Sequence, residues 1–200
     1  MTGDVKAIET VYNGYRFRSR LEARWAVFFD EIGVDYEYEP EGLVLSDGEY
    51  YLPDFFLKRF HCYFEVKRFS VYGTEEADDA IKKISDGCRT NSWAGIIAFG
   101  DPYRANMFLY CQCISGSSIG NYDSAVVFGK GEGTDRIVLL AENDRADALL
   151  NSLDGREVIP AIPAGRDIGK IWPYLSWEIE EAKTKARQAR FEHGETPTTK

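Results

Sequence analysis

Between residues 18 and 32, Leu21, Trp25, Phe28, Phe29 and Ile32 fall at i, i+4, i+7, i+8 and i+11. At helical periodicity this is one continuous apolar stripe, so the segment predicts an amphipathic helix. Ser19 stands where an N-cap belongs and Gly33 where a helix stops. The period then changes to two. Val34, Tyr36 and Tyr38 alternate with Asp35, Glu37 and Glu39, the pattern of a half-exposed strand closed by Pro40 and Gly42. Leu43 to Leu45, an Asp47-Gly48 turn and Glu49 to Leu57 predict a hairpin. Residues 61–67 (HCYFEVK) predict a further strand, with His61, Tyr63, Glu65 and Lys67 on one face and Cys62, Phe64 and Val66 on the other.

Thr74 is placed to cap a helix through about Ser85, with Ala77, Ala80, Ile81 and Ile84 inward. Trp93 to Phe99 (WAGIIAF) is an unbroken apolar run, which predicts a strand buried on both faces. The order of helix, antiparallel strands, helix and buried strand predicts an α/β fold with helices flanking a central mixed sheet. Beyond residue 100, Met107 to Ile114, Ala125 to Phe128 and Ile137 to Ala141 predict strands. A short helix is expected over 145–153, with Ala146, Leu149, Leu150 and Leu153 inward. A connection rich in proline and glycine follows, with Pro160, Pro163, Gly165 and Gly169. The last helix, Trp177 to Phe191, carries its acids early and its bases late, which suits the helix dipole. Its inner face is mostly alanine, so it is expected to lie loosely or to dock on a partner. The end, GETPTTK, is expected to be a disordered tail. Residues 1–100 thus read as the core, and 101–200 as a β-rich and helical extension completing the same domain.

Composition agrees with a globular chain. Of 200 residues, 44% are hydrophobic and 14% aromatic, which excludes a disordered or fibrous protein. No apolar run approaches the roughly twenty residues of a membrane span. The opening residues MTGDVKAIET lack the pattern of a signal peptide, so the chain is expected to be soluble and cytoplasmic, with no membrane partner. Cys62, Cys88, Cys111 and Cys113 are not spaced as a disulfide scaffold and read as reduced thiols. Cys111 and Cys113 would point the same way along a strand, but no further zinc ligands lie near them. The net charge of −9 argues against broad coating of nucleic acid. It leaves room for narrow contact through bound divalent metals, which need carboxylates and then present positive charge to a phosphate.

The candidate chemistry lies in residues 51–67, YLPDFFLKRFHCYFEVK. Pro53-Asp54 falls on one predicted strand and Glu65-Val66-Lys67 on the next, and adjacent strands lie about 4.8 Å apart. Two carboxylates converging there can hold Mg²⁺, which prefers oxygen ligands. Lys67, on the same face, can orient a water or neutralise charge building on a phosphate. Each residue also has a plainer reading. Ser19 and Glu22 are spaced as a capping box, and Glu65 and Lys67 could be a solvent-facing pair. Asp54 has the weakest structural excuse, because Tyr51, Leu52, Phe55, Phe56 and Leu57 surround it and an unbound carboxylate is costly to bury. His61 lies about 13 Å back along the strand from Glu65 and reads as a surface or substrate-contacting residue, and His193 as uninvolved. Arg16, Arg18, Arg20, Arg24 and Arg68 are candidates for phosphate contacts. For the first four the alternative is a solvated helix start, although positive charge there opposes the dipole.

These residues together resemble the PD-(D/E)XK nuclease superfamily, in a small phage or bacterial form. The resemblance covers residues 18 to 100, about half of the chain. It implies a restriction endonuclease-like fold and an endonuclease that hydrolyses DNA by a metal-activated water. Pro53-Asp54 matches the family's Pro-Asp, Glu65-Val66-Lys67 its Glu-x-Lys, and Ser19-Arg20-Leu21-Glu22 a first-helix motif found in many members. By resemblance, Asp54, Glu65, the Val66 carbonyl and Glu22 would hold Mg²⁺ or Mn²⁺, and Lys67 would handle the nucleophilic water. DNA is the implied partner, with RNA left open, and a homodimer is expected by resemblance alone. The alternative is a nuclease-like fold kept for binding a protein or nucleic acid, without catalysis, in phage–host conflict.

Overall fold

The computed structural model describes residues 7–91, 94–115, 118–130, 137–142, 158–162 and 177–191. A small hairpin comes first, β1 (Thr10–Tyr12) against β2 (Tyr15–Phe17). Asn13 and Gly14 turn it with φ of 47° and 82°, a region these two residue types enter most cheaply. Strands of three residues are too short to show a period, and the hydrophobic pattern predicted nothing here. α1 (Arg20–Glu31) follows, and the Ser19 side chain accepts a hydrogen bond from the Glu22 amide as its cap. Trp25, Phe28 and Phe29 are buried as the stripe predicts, but so are Ala23, Ala26 and Val27.

The extra burial on α1 has a cause at the other end of the chain. In α3 (Trp177–Gln188), Ile179, Ala182 and Ala186 join the same core as α1. Lys185 Nζ lies 2.7 Å from the Glu31 carboxylate. The last helix therefore docks within its own chain, which corrects the expectation of a loose or partner-seeking element. Its alanines bury little area but let the two helices approach closely.

The sheet is mixed. β3 (Tyr36–Tyr38), β6 (Phe55–Leu57), β7 (Cys62–Lys67), β8 (Ala94–Phe99) and β9 (Asn106–Ser115) form its centre in the order β3-β6-β7-β8-β9. All these neighbours are antiparallel except β7 and β8, which run parallel across the crossover helix α2 (Glu75–Asn91). β10 (Ser118–Lys130), β11 (Ile137–Glu142) and β12 (Val158–Ile162) continue the sheet to eight strands. Alternate residues of the central strands serve separate cores. Cys62, Phe64, Val66, Ala94, Ile96 and Ala98 pack with α1. Tyr63, Ile97 and Phe99 pack with Ala77, Ala80, Ile84 and Cys88 of α2. The two helices thus cover opposite faces.

Several boundaries differ from the pattern. The predicted strand Glu49 to Leu57 is two: β5 (Tyr50–Tyr51) pairs with β4 (Leu43–Val44) as a separate ribbon, and β6 joins the main sheet. Pro53, with no amide to donate, sits in the break. α2 runs past Ser85 because Gly87 is a packing position: a Cβ there would meet Leu43 Cδ1 at 2.9 Å. The Thr74 hydroxyl donates back to the Val71 carbonyl at 2.6 Å rather than capping α2. β10 extends well upstream of Ala125, and β12 crosses Pro160, where a connection was expected. Cys111 and Cys113 fall on β9, while Cys62 and Cys88 are buried free thiols. The expected helix over 145–153, Trp93, Pro163, Gly165, Gly169, His193 and the terminal tail lie outside the described residues. Among the described residues no helix is long and apolar enough to cross a membrane.

Gly95 tests the α2 face. A Cβ on it would meet Cys88 Sγ at 2.6 Å and Ile84 Cγ1 at 2.8 Å. Gly95→Ala is expected to lower stability by about 1–3 kcal/mol in a urea titration, as overpacking does. An unchanged midpoint would mean that α2 does not pack on β8 in this way.

Candidate metal centre

The pairing of β6 with β7 sets Phe55 opposite Phe64, Phe56 opposite Tyr63 and Leu57 opposite Cys62. One step further, this register puts Asp54 beside Glu65. The ladder is not continued there by the backbone. Instead, the Val66 amide donates to Asp54 Oδ2 at 2.7 Å. The Asp54 carbonyl accepts from the Glu39 amide at 2.8 Å, so the residue is held from both sides. Its carboxyl prefers its proton. Burial pushes the pKa well above the ordinary value, and the negative charges of Glu65 and Glu22 push it further. The Val66 amide and Lys67 oppose this without cancelling it.

Glu65 is only 3% exposed, on the face of β7 covered by α2. Its Oε1 lies 2.6 Å from Lys67 Nζ. Its Oε2 is buried with no hydrogen-bond partner. The solvent-facing reading of this pair is therefore excluded. Burial works to lower the Lys67 pKa, but the Glu65 and Asp54 charges outweigh it and the ammonium is held above its usual value. The Tyr51 hydroxyl is buried against the Glu65 carboxylate. Burial and then the neighbouring Glu65 charge raise this phenol well above its ordinary range. No periodicity in the sequence pointed to Tyr51, because the β4–β5 ribbon that carries it folds over the site from outside the main sheet.

Glu22 has a different place. Its Oε1 accepts from Ser19 Oγ at 2.6 Å, and its Oε2 accepts from the Arg18 amide at 3.1 Å and the Tyr38 hydroxyl at 2.6 Å. With the bond from the Glu22 amide to Ser19 Oγ at 3.2 Å, this is a variant of the capping box in which the carboxylate takes the Ser19 hydroxyl and the Arg18 amide, extended by a tyrosine. Glu22 reaches Asp54 through its charge. Among the described residues no group of three or more His, Cys, Asp or Glu side chains is gathered to hold one metal ion. Two carboxylates are enough for Mg²⁺, which keeps several of its waters. An orphaned buried carboxylate oxygen, a second acid held protonated by burial and then by like charge, and oxygen donors alone fit such an ion.

The arginines are dispersed. Arg16 pairs with Glu9 at 3.1 Å on the surface, and Arg18 forms an ion pair with Glu39. Arg20 opens α1, and Arg24 is half-buried with its Nε enclosed and without a hydrogen-bond partner. Arg68 is exposed directly after Lys67. His61 is not on β7 as the period suggested. It lies in the preceding turn at φ 51°, its ring edge-on to Phe56 at 5.4 Å.

No protein-family model matches this chain, and no curated protein matches it. What the site can do rests on its geometry.

Proposed function

We propose that this chain is a metal-dependent endonuclease of the PD-(D/E)XK type, with a restriction endonuclease-like core, hydrolysing DNA phosphodiester bonds. One observation carries the reading. Asp54 and Glu65 are brought together in a buried setting with Lys67 as their near cation, an arrangement that a fold has little reason to keep unless something binds it. Mg²⁺ or Mn²⁺, when bound, supplies Lewis acidity to the phosphate and lowers the pKa of a water. Asp54 and Glu65 Oε2 would hold the ion, with the Val66 carbonyl as a third oxygen. Because Asp54 prefers its proton, binding an ion would require its release, and affinity would rise with pH. Lys67, anchored on Glu65, orients the attacking water and offsets charge on the phosphate. Glu22 tunes Asp54 from the helix cap. Arg16, Arg18, Arg20, Arg24 and Arg68 are the candidates to contact flanking phosphates. A homodimer would present two such sites to the two strands of a duplex.

Purified protein is expected to nick plasmid DNA with Mg²⁺ or Mn²⁺ and to stop on chelation. Lys67→Met is expected to slow cutting by about a hundredfold or more, the scale of losing one aligned charge-stabilising donor. Equal cutting by a folded Lys67→Met variant would remove the lysine from the mechanism.

The second reading, a nuclease-like fold used only for binding, has its own support: Lys67 is already paired and the Glu22 carboxylate is engaged in the cap. Calorimetry separates the two. No heat of Mg²⁺ or Mn²⁺ binding at millimolar concentration would leave only the binding module.

A further inference from the structure

Beside the candidate site, large aromatic side chains remain in solvent. Phe69, Tyr72 and Tyr103 are 55%, 47% and 40% exposed. Phe69 and Tyr72 form one stack, and Tyr103 lies on the β8–β9 turn at the same end of the sheet. The Phe69 and Tyr72 rings stack at 6.2 Å and 22°, and Tyr72 lies parallel to Phe108 at 5.9 Å and 5°. Tyr72 also meets the buried Phe99 edge-on at 5.2 Å, which backs it with the sheet. Gly100 joins the two halves of the patch. A Cβ there would lie 3.5 Å from Phe69 Cδ2 and 3.6 Å from the Arg104 carbonyl, so Phe69 meets the turn that carries Tyr103.

Two cations lie over the Tyr103 ring. The Arg187 guanidinium lies 4.5 Å from the Tyr103 ring centre and that of Arg104 5.9 Å. Arg68, also exposed, precedes Phe69. The Gly100 amide donates to the Lys67 carbonyl at 2.8 Å, so the patch begins where the candidate site ends. Acids bound it on one side. Glu75, Glu76 and Asp78 open α2, while Asp101 Oδ1 is occupied by the Tyr103 amide at 3.0 Å.

Scattered exposed aromatics are ordinary on protein surfaces, but a backed stack with arginine-covered Tyr103 on the neighbouring turn has a matching ligand chemistry. Unpaired bases offer π faces to stack on aromatic rings, and their phosphates suit arginine. A duplex hides those faces within its own stack. Resting on the nuclease reading above, we infer that the Phe69–Tyr72–Tyr103 face, with Arg68, Arg104 and Arg187, binds an unpaired nucleic-acid strand. The substrate of the candidate site is then single-stranded or carries a single-stranded flap. The acids of α2 steer that strand away from the helix.

The test is fluorescence anisotropy of the full chain with labelled oligothymidine and with a fully paired duplex, without added metal so that nothing is cut. Oligothymidine is expected to bind more tightly than duplex. Phe69→Ala and Tyr103→Ala are each expected to weaken it about tenfold, the loss of one stacked base. Phe69→Trp and Tyr103→Phe keep the rings and are expected to keep the affinity, with melting curves confirming that all variants fold. Tighter binding of duplex, no binding of oligothymidine, or alanine variants that bind like the original chain would each overturn the inference. Ring-dependent binding in a protein that cuts no DNA with Mg²⁺ would uphold this face and sink the nuclease reading. Magnesium-dependent cutting with ring-independent binding would do the reverse.

Discussion

Asp54→Asn is expected to abolish metal-dependent cutting and, at the same time, to raise the melting temperature of the metal-free protein. The first effect follows from the metal-ligand role proposed for Asp54. A metal site contributes several kcal/mol to stabilising the charged transition state, so cleavage should fall by about a thousandfold or more. The second follows from the Asp54 pKa, raised by burial and by Glu65 and Glu22. A carboxyl raised in the folded state holds its proton more tightly there than in the unfolded chain. Stability therefore falls as pH rises from the ordinary carboxylate value of about 3.9 through the raised value, and stays lower beyond it. Asparagine carries no charge to suppress. The variant should be the more stable protein at neutral pH, and the two should converge in acid below about pH 4. Metal reverses the order. At a hundred times its dissociation constant, Mg²⁺ should stabilise the original chain by about 2.7 kcal/mol and the variant hardly at all. Melting curves over pH, with and without Mg²⁺, read all of this. An Asn variant that melts lower at neutral pH would mean that Asp54 is a structural acid.

The largest loss of stability is expected at Trp25. Its ring lies 4.8 Å from Phe64, 5.6 Å from Phe28 and 5.7 Å from Phe29, measured between centroids. Its indole N–H donates to the Gly100 carbonyl at 3.0 Å. Trp25→Ala removes both the packing and the bond, and should cost about 3–5 kcal/mol, a large share of the 5–15 kcal/mol typical of a whole domain. Trp25→Phe keeps most of the packing and leaves the Gly100 carbonyl without its donor, so about 1–3 kcal/mol is expected. Urea titrations followed by circular dichroism measure both. A Trp25→Ala shift under about 0.5 kcal/mol, the range of surface changes, would contradict the packing of α1 on the sheet.

The core elements were readable where one segment carried its own period. The stripe of Trp25, Phe28 and Phe29, the alternation of β7 and the apolar run of β8 each declare an element without help from elsewhere. The convergence of Asp54 with Glu65 was legible because short antiparallel connections leave few registers. What was hidden depends on contacts distant in sequence. Gly87 looks like a helix stop until Leu43 is set against it. The alanine face of α3 looks weak until α1 is set against it. The engagement of Glu22 by Tyr38 and the place of Tyr51 beside Glu65 likewise arise only when separate strands meet.

The alternation along β7 has one more consequence. Cys62, Phe64 and Val66 belong to the larger core under α1, while Glu65 and Lys67 take the intervening positions. The residues that hold the strand in place and those that carry its charge are thus different letters of the same six. A descendant of this chain can exchange the acid for a neutral side chain in a single step and keep every apolar contact beneath it. Loss of the Glu65 charge and loss of the fold are therefore separable by mutation.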